Sequence, residues 1–169
     1  MWRGALSDMG RVGLGTAWVF NVGLMISASL GAAYVACLLK AFRGSLTHLA
    51  TGVYLVAIIN LFLIGVFPEG TEPHWTVSYE FFLLMLFTYL LNVPALWLEG
   101  LRRHALFNLA LFALGLGGSL AINWPSIAAL ELYNIALMGA WYVTMFSAVR
   151  SSPCLTRRFH GVGLDSRKT

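Results

Sequence analysis

The sequence predicts an all-α polytopic transmembrane helix bundle with five spans, and three observations carry that reading. Hydrophobic residues make up 59% of the 169-residue chain and charged residues only 11%, against roughly a quarter charged in soluble domains. Mean hydropathy is +0.76. Long runs without charge recur along the chain, separated by short polar turns. A water-soluble fold of this size cannot hide so much apolar surface, so lipid must solvate most of it.

The elements follow in order. Residues 1–11 are polar enough for water or the membrane interface. The run 12–39 carries no charge and is too long for the apolar core of a cleaved signal peptide, so it reads as a retained span. Its small residues, from Ser27 to Ala33, permit close helix contact. Lys40 and Arg43 mark a basic turn, and a second span covers 46–67. Pro68 ends it, having no N–H for the next helical bond.

The third span covers 76–98, with Pro94 inside it; neighbouring helices can cover the carbonyl that a proline frees. A turn with Glu99, Arg102 and Arg103 precedes the fourth span, 105–122, whose Gly115, Gly117, Gly118 and Ser119 again favour close packing. Asn123-Trp124-Pro125 forms a tight turn, with the proline placed to begin the fifth span at 126–149. The bundle therefore occupies 1–149. Residues 150–169 form a basic tail without helical periodicity, expected to be mostly disordered.

Eleven Lys and Arg stand against seven Asp and Glu, a net charge of +4. Lys40, Arg43, Arg102, Arg103 and the basic tail fall at alternate turns, so the excess is a topology signal rather than a nucleic-acid footprint. The positive-inside rule puts those turns and the C-terminus in the cytoplasm of a multi-pass cell-membrane protein, with the loop of Glu69 and His74 outside. Trp75 and Trp124 then anchor the outer interface and Trp97 the inner one. Cys37 and Cys154 have no metal-like spacing and form no disulfide framework.

The chemistry concentrates in residues 65–80, which hold three of the seven acidic residues. At about 1.5 Å per residue, Glu80 lies roughly 6 Å, Glu131 about 8 Å and Asn60 about 10 Å below the outer starts of their spans. Glu131 is the most informative single residue, because an ionisable group within a span costs about 2.5–3.5 kcal/mol and normally faces a partner in the bundle interior. Asn134 follows one helical turn on, on the same face. Asn60, Tyr79 or a backbone group are the expected partners of Glu131 if it serves packing alone.

The candidate ligand-binding residues are Ser7, Asp8, Glu69, His74, Ser78, Glu80 and Glu131. His74 and Ser78 stand four apart, the spacing of one helix face. A hydrolytic reading would use His74 as base, Ser78 or a water as nucleophile, and a carboxylate as orienter. No closed metal motif is present, and the residues name neither a cofactor nor a catalytic set.

The LSDMG segment, the aromatic-asparagine VFN at the start of the first long span, and GVFPEGTEPHWTVSYEFF together resemble two hallmark stretches of a group of small prokaryotic multi-pass membrane proteins, the domain of unknown function 998 family. The resemblance covers nearly the whole chain, and the FPEG…PH segment is its more specific part. Members usually have a hydrophobic helix before the SDxG segment, giving six spans with both ends inside, and often an Asn where this chain has Ala5. The SDxG segment paired with a later outer-loop His is also similar, more remotely, to eukaryotic membrane proteins of the autophagy-modulator and GPI-lipid-remodelling type. That likeness implies lipid-related work, with Ser7, Asp8, Glu69 and His74 as the matching positions.

Three functions fit these residues. One is binding of a lipid head group or polar lipid at the outer face. Another is an auxiliary or structural subunit whose glycine- and serine-rich spans meet partner membrane subunits or a second copy of this chain. The third is a membrane-embedded lipid hydrolase or transferase. Membrane lipid is the expected partner and nucleic acid is not. Transport fits poorly, since there is no internal repeat and only one deep charge.

Overall fold

The computed structural model describes residues 4–152, and within them the chain is all-helical with no strand. Arg3, Cys154 and the basic residues Arg157, Arg158, Arg167 and Lys168 lie outside the described residues, with most of the tail. A short 3-10 turn, Leu6–Gly10, is followed by α1 (Ala17–Ala41), α2 (Ser45–Val66), α3 (Glu72–Leu98), α4 (Arg102–Ala121) and α5 (Ile127–Arg150). All five α-helices are long and apolar enough to cross a membrane. The protein is a multi-pass membrane bundle.

Local chemistry sets the boundaries. Residues 11–14 form a turn closed by the Leu14 N–H on the Arg11 carbonyl at 3.2 Å, with Gly13 supplying φ +91, so α1 begins at Ala17 rather than near Val12. Between α2 and α3, the Thr71 N–H and hydroxyl both donate to the Pro68 carbonyl, at 3.0 and 2.8 Å. Gly70, with φ +94, occupies the position of that turn that demands a left-handed backbone. Pro73 then sits in the first turn of α3, where its missing N–H costs nothing. The helix thus starts at Glu72, and His74 belongs to a helix rather than to a loop. Ser126 caps α5 by accepting from the Ala129 N–H at 3.2 Å.

In the bundle α2 packs most extensively, against α1 and α3, while α5 touches α1 and α3 only lightly. Tyr54 and Trp141 are fully buried with ring centroids 4.8 Å apart, and the Tyr54 and Tyr142 hydroxyls meet at 2.7 Å. This aromatic plug fills the half of the bundle nearer the α1–α2 turn. At the opposite end α1 and α2 approach so closely that a Cβ on Gly65 would come within 2.6 Å of the Asn21 carbonyl oxygen. Large apolar side chains such as Leu30, Leu98 and Val143 cover the outside, as lipid solvation requires.

Candidate functional site

The end of the bundle opposite the α1–α2 turn is stitched together by the N-terminal segment. The Asn21 side chain donates to the Gly10 carbonyl at 3.1 Å, fixing the 3-10 turn to α1. The Val12 N–H donates to the Glu69 carbonyl at 3.0 Å, and the Ala128 N–H to the Gly4 carbonyl at 3.0 Å. The segment therefore bridges α1, the α2–α3 turn and the start of α5. Asp8 supports it from within, accepting from the Ala5 N–H at 2.8 Å and pairing with Arg11 at 2.5 Å.

Beneath this strap, Glu69 is a hub. The Pro68–Thr71 turn presents its carboxylate so that one oxygen, Oε2, accepts from the Ser7 hydroxyl at 2.9 Å and lies 2.9 Å from His74 Nε2. His74 is buried, and its Nδ1 sits 2.8 Å from the Phe67 carbonyl at the end of α2. A carbonyl only accepts, so Nδ1 carries a hydrogen. Lone pairs cannot face each other at 2.9 Å, so one further proton lies between Nε2 and Glu69. Whichever atom holds it, the pair is neutral as a whole.

This arrangement has a chemical consequence. Both imidazole nitrogens are engaged, and the order of contacts is serine, carboxylate, imidazole, with the carboxylate in the middle. A nucleophilic triad needs the imidazole between the other two. The resting geometry therefore holds His74 as a structural donor and does not present it as a base to Ser78.

Glu131 comes from the second turn of α5 and meets the same strap. Its Oε2 accepts from the Leu6 N–H at 2.6 Å. The partner is a main-chain group of the 3-10 turn; Asn60 instead donates to the Val56 carbonyl of its own helix at 3.2 Å. Asn134, one turn on, donates to the Ser119 hydroxyl at 3.2 Å and to the Leu130 carbonyl at 3.0 Å.

These groups surround a cavity of about 480 Å³ between α3, α4 and α5. Its polar pole is made by Ser7, Glu69, His74, Ser78, Glu131 and Asn134, and its walls by Phe82, Leu83, Leu86, Leu116, Leu120 and Leu130. His74, Ser78, Phe82 and Leu86 are spaced four apart, so one face of α3 passes from polar to hydrocarbon over about 18 Å of helix rise. Trp75 and Leu120 line the cavity while being 73% and 79% exposed. The cavity is therefore open to the surroundings of the bundle rather than enclosed.

The seven sequence candidates are thus distributed unevenly. Ser7, Glu69, His74, Ser78 and Glu131 share the cavity. Asp8 braces the strap beside it, and Glu80 is exposed on a different face of α3, with no hydrogen-bond or ion-pair partner among the described residues. Sequence reasoning missed the roles of Asn21 and of the Phe67 carbonyl. Asn21 left a trace in the VFN segment, whereas a main-chain acceptor leaves none. Among the described residues no group of three or more His, Cys, Asp or Glu is placed to hold a metal ion.

Comparison with known proteins identifies the family. The family model described as protein of unknown function (DUF998) matches residues 1–148, and the chain belongs to that family. No curated protein and no solved structure matches it.

Proposed function

We propose that this DUF998 protein binds a membrane lipid, holding its polar end at the Glu69–His74–Glu131 pole and its hydrocarbon along α3, α4 and α5. The observation that carries the reading is the cavity itself, polar at one end, apolar along its walls and open to the surroundings of the bundle. Such a volume falls within the range of small-molecule sites, about 300–1,000 Å³. Catalysis is less well supported, because the imidazole has no free nitrogen.

The orientation we assign puts the cavity in the outer leaflet of the cell membrane and the C-terminus in the cytoplasm. Lys40, Arg43, Arg102, Arg103 and Arg150 gather at the far end, while Arg11 is the one Lys or Arg among the described residues at the cavity end. In a background without Cys37 and Cys154, a cysteine at Thr71 should react with an impermeant reagent on intact cells. Labelling only after lysis would reverse the orientation.

Native mass spectrometry of the protein in mild detergent tests lipid binding. The wild type should retain a lipid mass that Ser78→Phe loses, since the phenyl ring fills the pole at a hydroxyl that makes no hydrogen bond within the described residues. Equal retention by both would remove the cavity as the lipid site.

A second reading, a subunit that docks partner helices or another copy of itself, has one observation in its favour. Only 22% of the residues in the most apolar windows of α1 and of α4 are buried, and Gly23 and Gly117 on them face open space. A stoichiometric partner mass in the same spectra, indifferent to Ser78→Phe, would support it.

A further inference from the structure

We propose that the amphiphile held in this cavity carries a primary ammonium head, with Glu131 as its counter-charge; the inference rests on the cavity being a lipid site. The reason is the pairing of charges at the pole. Asp8 has its own cation in Arg11. Glu69 has His74, and that pair is neutral as a unit. Glu131 is the third carboxylate of the group and among the described residues has only the Leu6 N–H, on one oxygen.

No lysine or arginine among the described residues lines the cavity. A carboxylate held partly out of water without a cation is costly, and a cationic partner offsets that cost. The same absence disfavours a phosphate head, which would meet two carboxylates and no guanidinium or ammonium. A bare metal ion would leave the hydrocarbon walls without a role.

The acceptors fit the head in number. An alkylammonium has three N–H donors. Glu131 Oε1, Asn134 Oδ1 and Ser78 Oγ are acceptors without donors among the described residues, and all three side chains line the cavity. Asn134 is fixed for this purpose, because both of its hydrogen bonds among the described residues are made by Nδ2, to Ser119 and Leu130. Phe82 and Leu86 then continue the site along α3 as a track for the alkyl chain.

The test uses the full-length protein in a neutral maltoside detergent, titrated with dodecylamine, dodecanol or dodecyl phosphate and read by intrinsic tryptophan fluorescence, to which Trp75 at the cavity rim contributes. The proteins compared are the wild type, Glu131→Gln, Ser78→Phe and, as a control at the far end of the bundle, Glu99→Gln. Dodecylamine should bind the wild type at least about tenfold more tightly than dodecanol, the difference expected for one charged hydrogen bond. Glu131→Gln should bring the amine down to the alcohol, and Glu99→Gln should leave the preference intact. The glutamine keeps an acceptor for the Leu6 N–H, and an unchanged melting temperature without ligand would show that the variant is folded.

Equal binding of amine and alcohol, both abolished by Ser78→Phe, would overturn the ammonium assignment and leave the lipid site standing. Tightest binding of the phosphate would overturn it as well. Saturable binding of none of the three, or binding indifferent to Ser78→Phe, would overturn both.

Discussion

Replacing Glu69 by alanine should loosen the entire cavity end. The carboxylate oxygen Oε2 receives the Ser7 hydroxyl and His74 Nε2, both at 2.9 Å. Removing it leaves the buried imidazole with an unpaired nitrogen and takes away the Ser7 tie between the strap and the α2–α3 turn, leaving the Val12 N–H on the Glu69 main-chain carbonyl. A hydrogen bond to a charged group contributes about 1.5–3 kcal/mol and an ordinary one about 1 kcal/mol, but the two donors share one acceptor atom and will not add independently. The expected loss is about 2–3 kcal/mol, read as reversible unfolding in mixed micelles.

Glu69→Gln should cost less, since its amide keeps one of the two contacts at the same place, its oxygen for the Ser7 hydroxyl or its NH2 for the neutral His74 Nε2. A cycle of Glu69→Ala with His74→Ala should show strong coupling. A loss below about 0.5 kcal/mol for Glu69→Ala, or strict additivity in the cycle, would refute the view of Glu69 as the hub of this end.

Three further outcomes follow from the same geometry. Gly65→Val should cost about 1–3 kcal/mol in the same assay, because its side chain must push against the main chain of α1 at Asn21. Asn21→Ala removes the side-chain bond that ties Gly10 to α1 and should speed amide exchange in residues 6–10 while leaving α2 unchanged, as exchange mass spectrometry would show. Ser126→Ala deletes the cap on Ala129 and should destabilise the start of α5 by about 1 kcal/mol, with faster exchange confined to its first turn.

The spans were legible because their signal is composition. Runs of this length without charge have no other stable solvent than lipid, and Pro68 and Gly70 mark the α2–α3 turn by backbone chemistry alone. Depth was readable too, since it follows from helix rise, and Glu80, Glu131 and Asn60 were set at similar depths. The direction in which each side chain points was not. A membrane helix that is apolar all round has no hydrophobic stripe to show which face is inside.

Ser78 and Glu80 illustrate this: two residues apart on α3 they point about 200° apart around the helix axis, one into the cavity and the other away from it. The His74–Ser78 spacing did survive, because a separation of four keeps residues on one face wherever that face looks. Which backbone group Glu131 meets was hidden for another reason. It is a main-chain N–H, and every residue has one, so no choice of side chain announces it.

The most direct test of the lipid-site account is a structure of the wild-type protein in lipid nanodiscs. The account predicts elongated density between α3, α4 and α5, its head against Glu131 and Ser78 and its tail along Phe82 and Leu86, with the 3-10 turn closed over it. A cavity filled by the protein's own side chains, or ordered lipid only on the outer faces of α1 and α4, would contradict it.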